Sequence, residues 1–146
     1  MSYEILLLNL LLNHRHFLST KKSDPKKPSF LIGKWIFTNA DDSIKTYENW
    51  RMDFTGFGLS LKGKDTIFFE QLRVLEKNDS LFLEVSGVNE IPTLFQFTEQ
   101  TETFFVCENL RNEFPKKIKY YMDGPLLKAE ISNENFQLDF IFEKIK

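Results

Sequence analysis

Glu48 and Trp50 stand two residues apart in a run that alternates in polarity, I-K-T-Y-E-N-W-R-M from Ile44 to Met52. In an extended strand that spacing puts both on one face, so an inward indole carries the carboxylate inward with it. A buried carboxylate must be paired, protonated, or solvated in a cavity. The same conflict recurs at 66–76. There Glu70 shares parity with Phe68, Leu72 and Val74, while Gln71 and Arg73 share parity with Phe69 and Leu75. Whichever set faces inward brings a second polar group: Glu70 as another acid, or Arg73 as a counter-ion for Glu48. Further along, Glu108 and Asn109 close another alternating run, Phe114 precedes a proline, and Tyr120 alternates with Ile118 and Met122 so that its hydroxyl becomes an interior donor. Two chemistries are open to this set. Glu48, Trp50, Glu70, Arg73, Glu108, Asn109, Phe114 and Tyr120 can line a polar-tipped ligand cavity. Alternatively, Glu48 with Glu70 or Glu108 can act as acid and base, with Tyr120 as donor. The bland alternative is that Glu48 or Arg73 snorkels at a rim.

Other chemistries lack their residues. The only histidines are His14 and His16, so nothing beyond residue 28 offers an imidazole for a metal, a haem or a general base. Cys107 stands alone, which excludes a disulfide framework and a multi-cysteine zinc site and suits a buried small hydrophobe. Gly56-Phe57-Gly58 lacks the third glycine and the following helix of a phosphate-binding loop. No cofactor, metal or catalytic residue is therefore expected. Net charge is −2, yet Arg15, Lys21, Lys22, Lys26 and Lys27 all precede residue 29, which leaves the remainder acidic and a poor partner for nucleic acid.

The elements that must position these groups read as strands. A chain of 146 residues with 16 Phe can bury one domain's core. From Phe30 onward, short aromatic-rich alternating runs are separated by turn residues, as in Lys62-Gly63-Lys64-Asp65, Lys77-Asn78-Asp79 and Asp123-Gly124-Pro125. Candidate strands are 30–39, 44–52, 55–62, 66–76, 80–87, 92–99, 102–109, 116–122, 126–132 and 135–145. Without crossover helices, such a series predicts an all-β, closed antiparallel meander barrel of about eight to ten strands, because closure removes exposed edges. Parity places Leu31, Gly33, Trp35 and Phe37 on one face. In the last strand it predicts Phe136, Leu138, Phe140 and Phe142 inside, with Lys144 in their register. Residues 29–146 are expected to form the barrel, and 1–28 an apolar segment followed by a Lys/Pro-rich linker.

Gly33-Lys34-Trp35, the Glu48-x-Trp50 pair and the run C-E-N-L-R-N-E-F-P-K-K-I-K-Y-Y from Cys107 to Tyr121 resemble an uncharacterised family of bacterial lipocalin-like, calycin-type barrel domains. The resemblance spans roughly Phe30 to Lys144. It implies a barrel with a cavity and no established reaction, with Trp35 plugging one end and the basic Lys144 over its ring, a cation–π contact worth roughly 0.5–2 kcal/mol. Relatives tend to carry Pro and His where this chain has Leu110 and Asn112, so any chemistry of that His is unavailable here. The motif also reads structurally, as a turn closing the barrel mouth. Architectural similarity to fatty-acid-binding proteins and nitrobindins raises haem, and the lack of a barrel His argues against it.

Ile5 to Leu12 is an apolar run too short to span a bilayer, so no transmembrane helix is expected. With the spacer behind it, it resembles the leader of a bacterial lipoprotein, but Thr20 stands where the lipid-bearing Cys should be. A leader points to the cell envelope or periplasm. A loosely ordered extension is equally compatible with the cytoplasm. The expected function is a binding module for a small hydrophobic or amphipathic ligand in an aromatic-lined lumen. The alternatives are a carboxylate enzyme at the barrel mouth and a structural envelope protein whose barrel is filled by Phe.

Overall fold

The computed structural model describes residues 25–38 and 41–146. The apolar run at 5–12 and the position of Thr20 lie outside the described residues. A single turn of 3-10 helix, Ser29–Leu31, leads into ten strands: β1 Gly33–Phe37, β2 Ile44–Trp50, β3 Thr55–Lys62, β4 Asp65–Lys77, β5 Ser80–Ser86, β6 Thr93–Gln100, β7 Phe104–Glu108, β8 Lys117–Asp123, β9 Leu126–Ser132 and β10 Gln137–Ile145. Each pairs antiparallel with the next, and β10 returns to β1 to close the barrel. The fold is thus an all-β meander barrel, compatible with a lipocalin-like architecture. Among the described residues no helix is long and apolar enough to cross a membrane.

Local chemistry sets the hairpins. Asn78 and Asp79 both adopt positive φ, 50° and 60°, as the two-residue turn between β4 and β5 requires if its twist is to match the strands. Gly63 and Gly124 do the same in the β3–β4 and β8–β9 turns. All ten expected strands are present, and the ends are where expectation and structure part. Met52, expected on the face of Trp50, is 78 % exposed because β2 stops at Trp50 and the chain turns at Asp53. Phe136 and Leu138, expected inside, are also exposed: Phe136 precedes β10 and leans on Phe114 instead, with ring centroids 5.7 Å apart. Only Phe140 and Phe142 continue that face inward, and Lys144 shares it at the exposed end of β10.

The two ends of the barrel differ. One is plugged. There Leu31 is fully buried, and the Trp35 indole donates from Nε1 to the Leu31 carbonyl at 2.8 Å. Trp35 pairs in register with Lys144, whose Nζ lies 5.3 Å from the centre of the indole. Gly33 makes room for that cation, since a Cβ there would stand 2.7 Å from Lys144 Cε. Phe30 packs on Phe105, Pro28 is buried, Gln100 Nε2 donates to the Lys26 carbonyl, and Lys27 lies over Phe54. Burying each of these large apolar side chains contributes about 1.5–3 kcal/mol. The other end is ringed by the β1–β2, β3–β4, β5–β6, β7–β8 and β9–β10 connections, and it is open.

Candidate functional site

A cavity of about 430 Å³ runs inward from the open end. Its walls are mostly apolar, from Leu72, Leu83, Val85, Phe95, Ile118, Ile131 and Phe140 among others, and its two carboxyls and the Tyr120 hydroxyl lie toward the floor. Three adjacent strands build that floor. Glu48 on β2 is paired in register with Gly58 on β3, and Gly58 with Glu70 on β4. Glycine in the middle position leaves room for the Glu70 side chain, since a Cβ on Gly58 would stand 2.9 Å from Glu70 Oε1 and 3.1 Å from its Cγ. One step toward the plug, Gly56 plays the same part for the Trp50 indole, whose Cδ2 would lie 3.1 Å from an added Cβ.

Glu48 is the buried carboxylate that parity demanded, at 6 % exposure. Trp50 donates from Nε1 to Oε1 at 2.5 Å, and Tyr120, reaching across from β8, donates its phenolic proton to Oε2 at 3.0 Å. Stacking of the Tyr120 ring on Phe105, itself stacked on Phe97, fixes the direction of that hydroxyl. Burial pushes the Glu48 carboxyl up to about 7, against the two hydrogen bonds that favour its anion, and the neighbouring Glu70 adds to the rise. Glu70 is pushed up to about 7 as well, by burial alone. It makes no hydrogen bond among the described residues, so its carboxyl stands free in the cavity. The Tyr120 phenol is raised well above the ordinary tyrosine range by burial and by the two carboxylates, so it stays protonated and donates.

The remaining candidates separate. Of the two parities open on β4, the Glu70 set faces the lumen. Arg73 therefore lies on the outer face, where its Nη2 meets Glu84 at 3.0 Å, and it does not neutralise Glu48. Glu108 alternates with the fully buried Cys107 and pairs with Lys117, so its side chain also points outward and cannot partner Glu48 as acid or base. Asn109 organises the β7–β8 turn: its Oδ1 accepts from the Arg111 and Asn112 amides, and its Nδ2 donates to the Leu94 carbonyl at 2.9 Å. Phe114 lines the mouth. Trp50 backs Glu48 from below rather than lining the cavity. Cys107 is buried and its thiol is pushed up by burial, which suits packing and not reactivity.

The structure adds residues that the sequence did not single out. Thr46 and Ser60 share a hydrogen bond of 2.8 Å on the cavity wall. Asn112, held by its bond to the Pro115 carbonyl at 2.7 Å, stands at the mouth, where the departure from the resembled motif was its only signal. The rim is apolar, with Phe68, Val88, Ile91, Leu110 and Phe136 exposed around it. Among the described residues no three His, Cys, Asp or Glu side chains converge as a metal site. In comparison with known proteins, no family model, no curated protein and no solved structure matches the chain.

Proposed function

We propose that this chain is a binding module whose barrel holds one small hydrophobic or amphipathic ligand, and that it is related to the lipocalin-like domains its motifs resemble. The observation that carries this reading is the open cavity of about 430 Å³, within the usual range of small-molecule sites, with apolar walls and a few convergent polar groups at one end. Residues 29–146 are proposed as the folding unit. Of the groups read from sequence, Glu48, Glu70, Tyr120 and Phe114 are proposed to touch the ligand, with Trp50 acting through Glu48.

A screen of hydrophobic and amphipathic compounds followed by tryptophan emission tests the proposal, since Trp50 donates to the carboxylate that a ligand would meet. Hits are expected to saturate the emission change at one equivalent and to lose affinity in Glu48→Gln. If nothing binds, the reading of a structural protein takes over. The two carboxylates, each near 7, also favour a second reading as an acid–base pair. In that case Glu48→Gln leaves binding largely intact while turnover of a hit collapses.

A further inference from the structure

Among the described residues, the side chains lining the cavity include two carboxylates, Glu48 and Glu70, and no Lys, Arg or His. A site for fatty acids or other anions needs a cation or a cluster of free donors at its polar end. Here the polar end holds the reverse. The donors present, Trp50 Nε1 and the Tyr120 hydroxyl, are already committed to Glu48. What the floor lacks is a positive charge.

The spacing gives that charge a place. Glu48 and Glu70 sit in one row on β2 and β4, with β3 between them, so their backbones are about 10 Å apart at the ordinary strand separation. The residue between them, Gly58, has no side chain to fill the gap. The Glu70 carboxyl lies over that bare position, so it leans across β3 toward Glu48, and the two acids line one stretch of the cavity. The Glu70 carboxyl has no partner among the described residues, whereas a cation would give it one.

We infer that the ligand is a monocationic amine with an apolar or aromatic body, its ammonium held by the carboxyls of Glu48 and Glu70 and its body in the apolar upper cavity. This rests on the binding-module reading and narrows it to one ligand chemistry. The ammonium offers three donors, and the two Glu70 oxygens with the remaining lone pairs of the Glu48 oxygens supply acceptors. Phe95, Phe140 and Phe142 line the remaining volume and suit an aryl or alkyl body.

Protonation follows from the same geometry. The titratable groups that face Glu48 are Glu70 from β4 and Tyr120 from β8, with Cys107 on β7 next to Tyr120, and no basic group faces it from the cavity wall. Both carboxyls stand near 7 without a ligand, so amine binding draws them into the ionised form and releases protons. Amine affinity therefore rises with pH between about 6 and 8, while a neutral ligand of the same shape shows no such rise.

The test is calorimetric titration of the full chain with phenylbutylamine, phenylbutanol and phenylbutanoic acid, which share one body and differ in the head group. The expected result is at least about tenfold tighter binding of the amine than of either analogue, a difference worth roughly 1.4 kcal/mol. Glu70→Gln, which breaks no hydrogen bond, should cut the amine's affinity about tenfold and leave the alcohol's unchanged. If the alcohol or the acid binds as tightly as the amine, the amine inference is overturned and the binding module stands. Failure of all three to bind overturns both. Equal amine affinity in wild type and in both Glu70→Gln and Glu48→Gln also overturns it, because the head group is then not held where the geometry places it.

Discussion

The plugged and open ends of this barrel are made from the same strands and differ in what fills them. At the plug, Leu31, Trp35 and Phe105 are almost completely buried, and the polar atoms they bring are satisfied locally, the indole by the Leu31 carbonyl. At the mouth, Phe68, Val88, Ile91, Leu110 and Phe136 remain in contact with solvent, and among the described residues a cavity opens beneath them. The contrast teaches that Phe content alone does not decide whether a barrel is filled. Aromatic side chains close the end where Phe30, Leu31 and Trp35 fold over the lumen. At the other end they line walls that no described residue covers.

If stability resides at the plug, Trp35→Ala should be the most damaging single change, at about 3–5 kcal/mol. Phe68→Ala at the mouth should cost no more than about 1 kcal/mol, because its ring is already partly exposed. Denaturant titration of both variants checks this, and equal losses would erase the distinction between the ends.

The pH dependence of stability sharpens the contrast next. Glu48 and Glu70 have folded values near 7, above the usual 4.5, so the folded state holds more protons than the unfolded chain between those limits. Their contribution to stability is therefore fully present below about 4.5 and is lost as pH rises through about 7, on the order of a few kcal/mol. Melting temperature without ligand should fall by several degrees between about pH 5 and pH 8, and the fall should be shallower in Glu48→Gln. A rising melting temperature over that range would mean that the floor carboxyls are ionised without cost.

A smaller effect separates two glycines of one strand. In Gly56→Ala the new Cβ would lie 2.3 Å from the Asn49 carbonyl, a backbone atom, as well as against the Trp50 ring, so the strands must shift at a cost of about 1–3 kcal/mol. In Gly58→Ala it meets the end of the Glu70 side chain, which can rotate away. Stability should then change by less than about 1 kcal/mol, while ligand affinity falls because the Glu70 carboxyl is displaced. Paired melting and binding measurements distinguish the two. A comparably small change is expected in Lys144→Gln, which removes the cation over Trp35 and should cost about 0.5–1 kcal/mol with ligand binding unchanged.

Much of this was legible in the sequence because alternation and turn residues agree along most of the chain. All ten strands follow from that agreement. So does the inward carboxylate, since Glu48 cannot leave the face of Trp50. On β4 the signal fails for a physical reason: both faces carry aromatic and charged residues, because Phe69 stacks on Phe57 on the outside of the barrel, 6.1 Å between centroids. An outer aromatic cluster mimics an inner one, and Glu70 and Arg73 remain equivalent until the barrel is closed. Parity likewise overreached at Phe136 and Leu138, since alternation says which face a residue takes but not how far the lumen extends. The roles of Gly56 and Gly58 were hidden because they depend on the neighbouring strands' side chains, which a single strand's pattern does not contain.

Strand directions carry a practical corollary. β1 begins and β10 ends at the plugged end, so the backbone approaching from Pro25 and the final Lys146 both lie on the side away from the cavity. β4 alone spans 13 residues, which puts roughly 40 Å of extended chain along that wall. A purification handle, a fluorescent fusion or a surface linkage attached after Lys146 should therefore leave the opening free. Immobilised protein can serve directly in flow-based screening, with every molecule presenting its mouth to the stream.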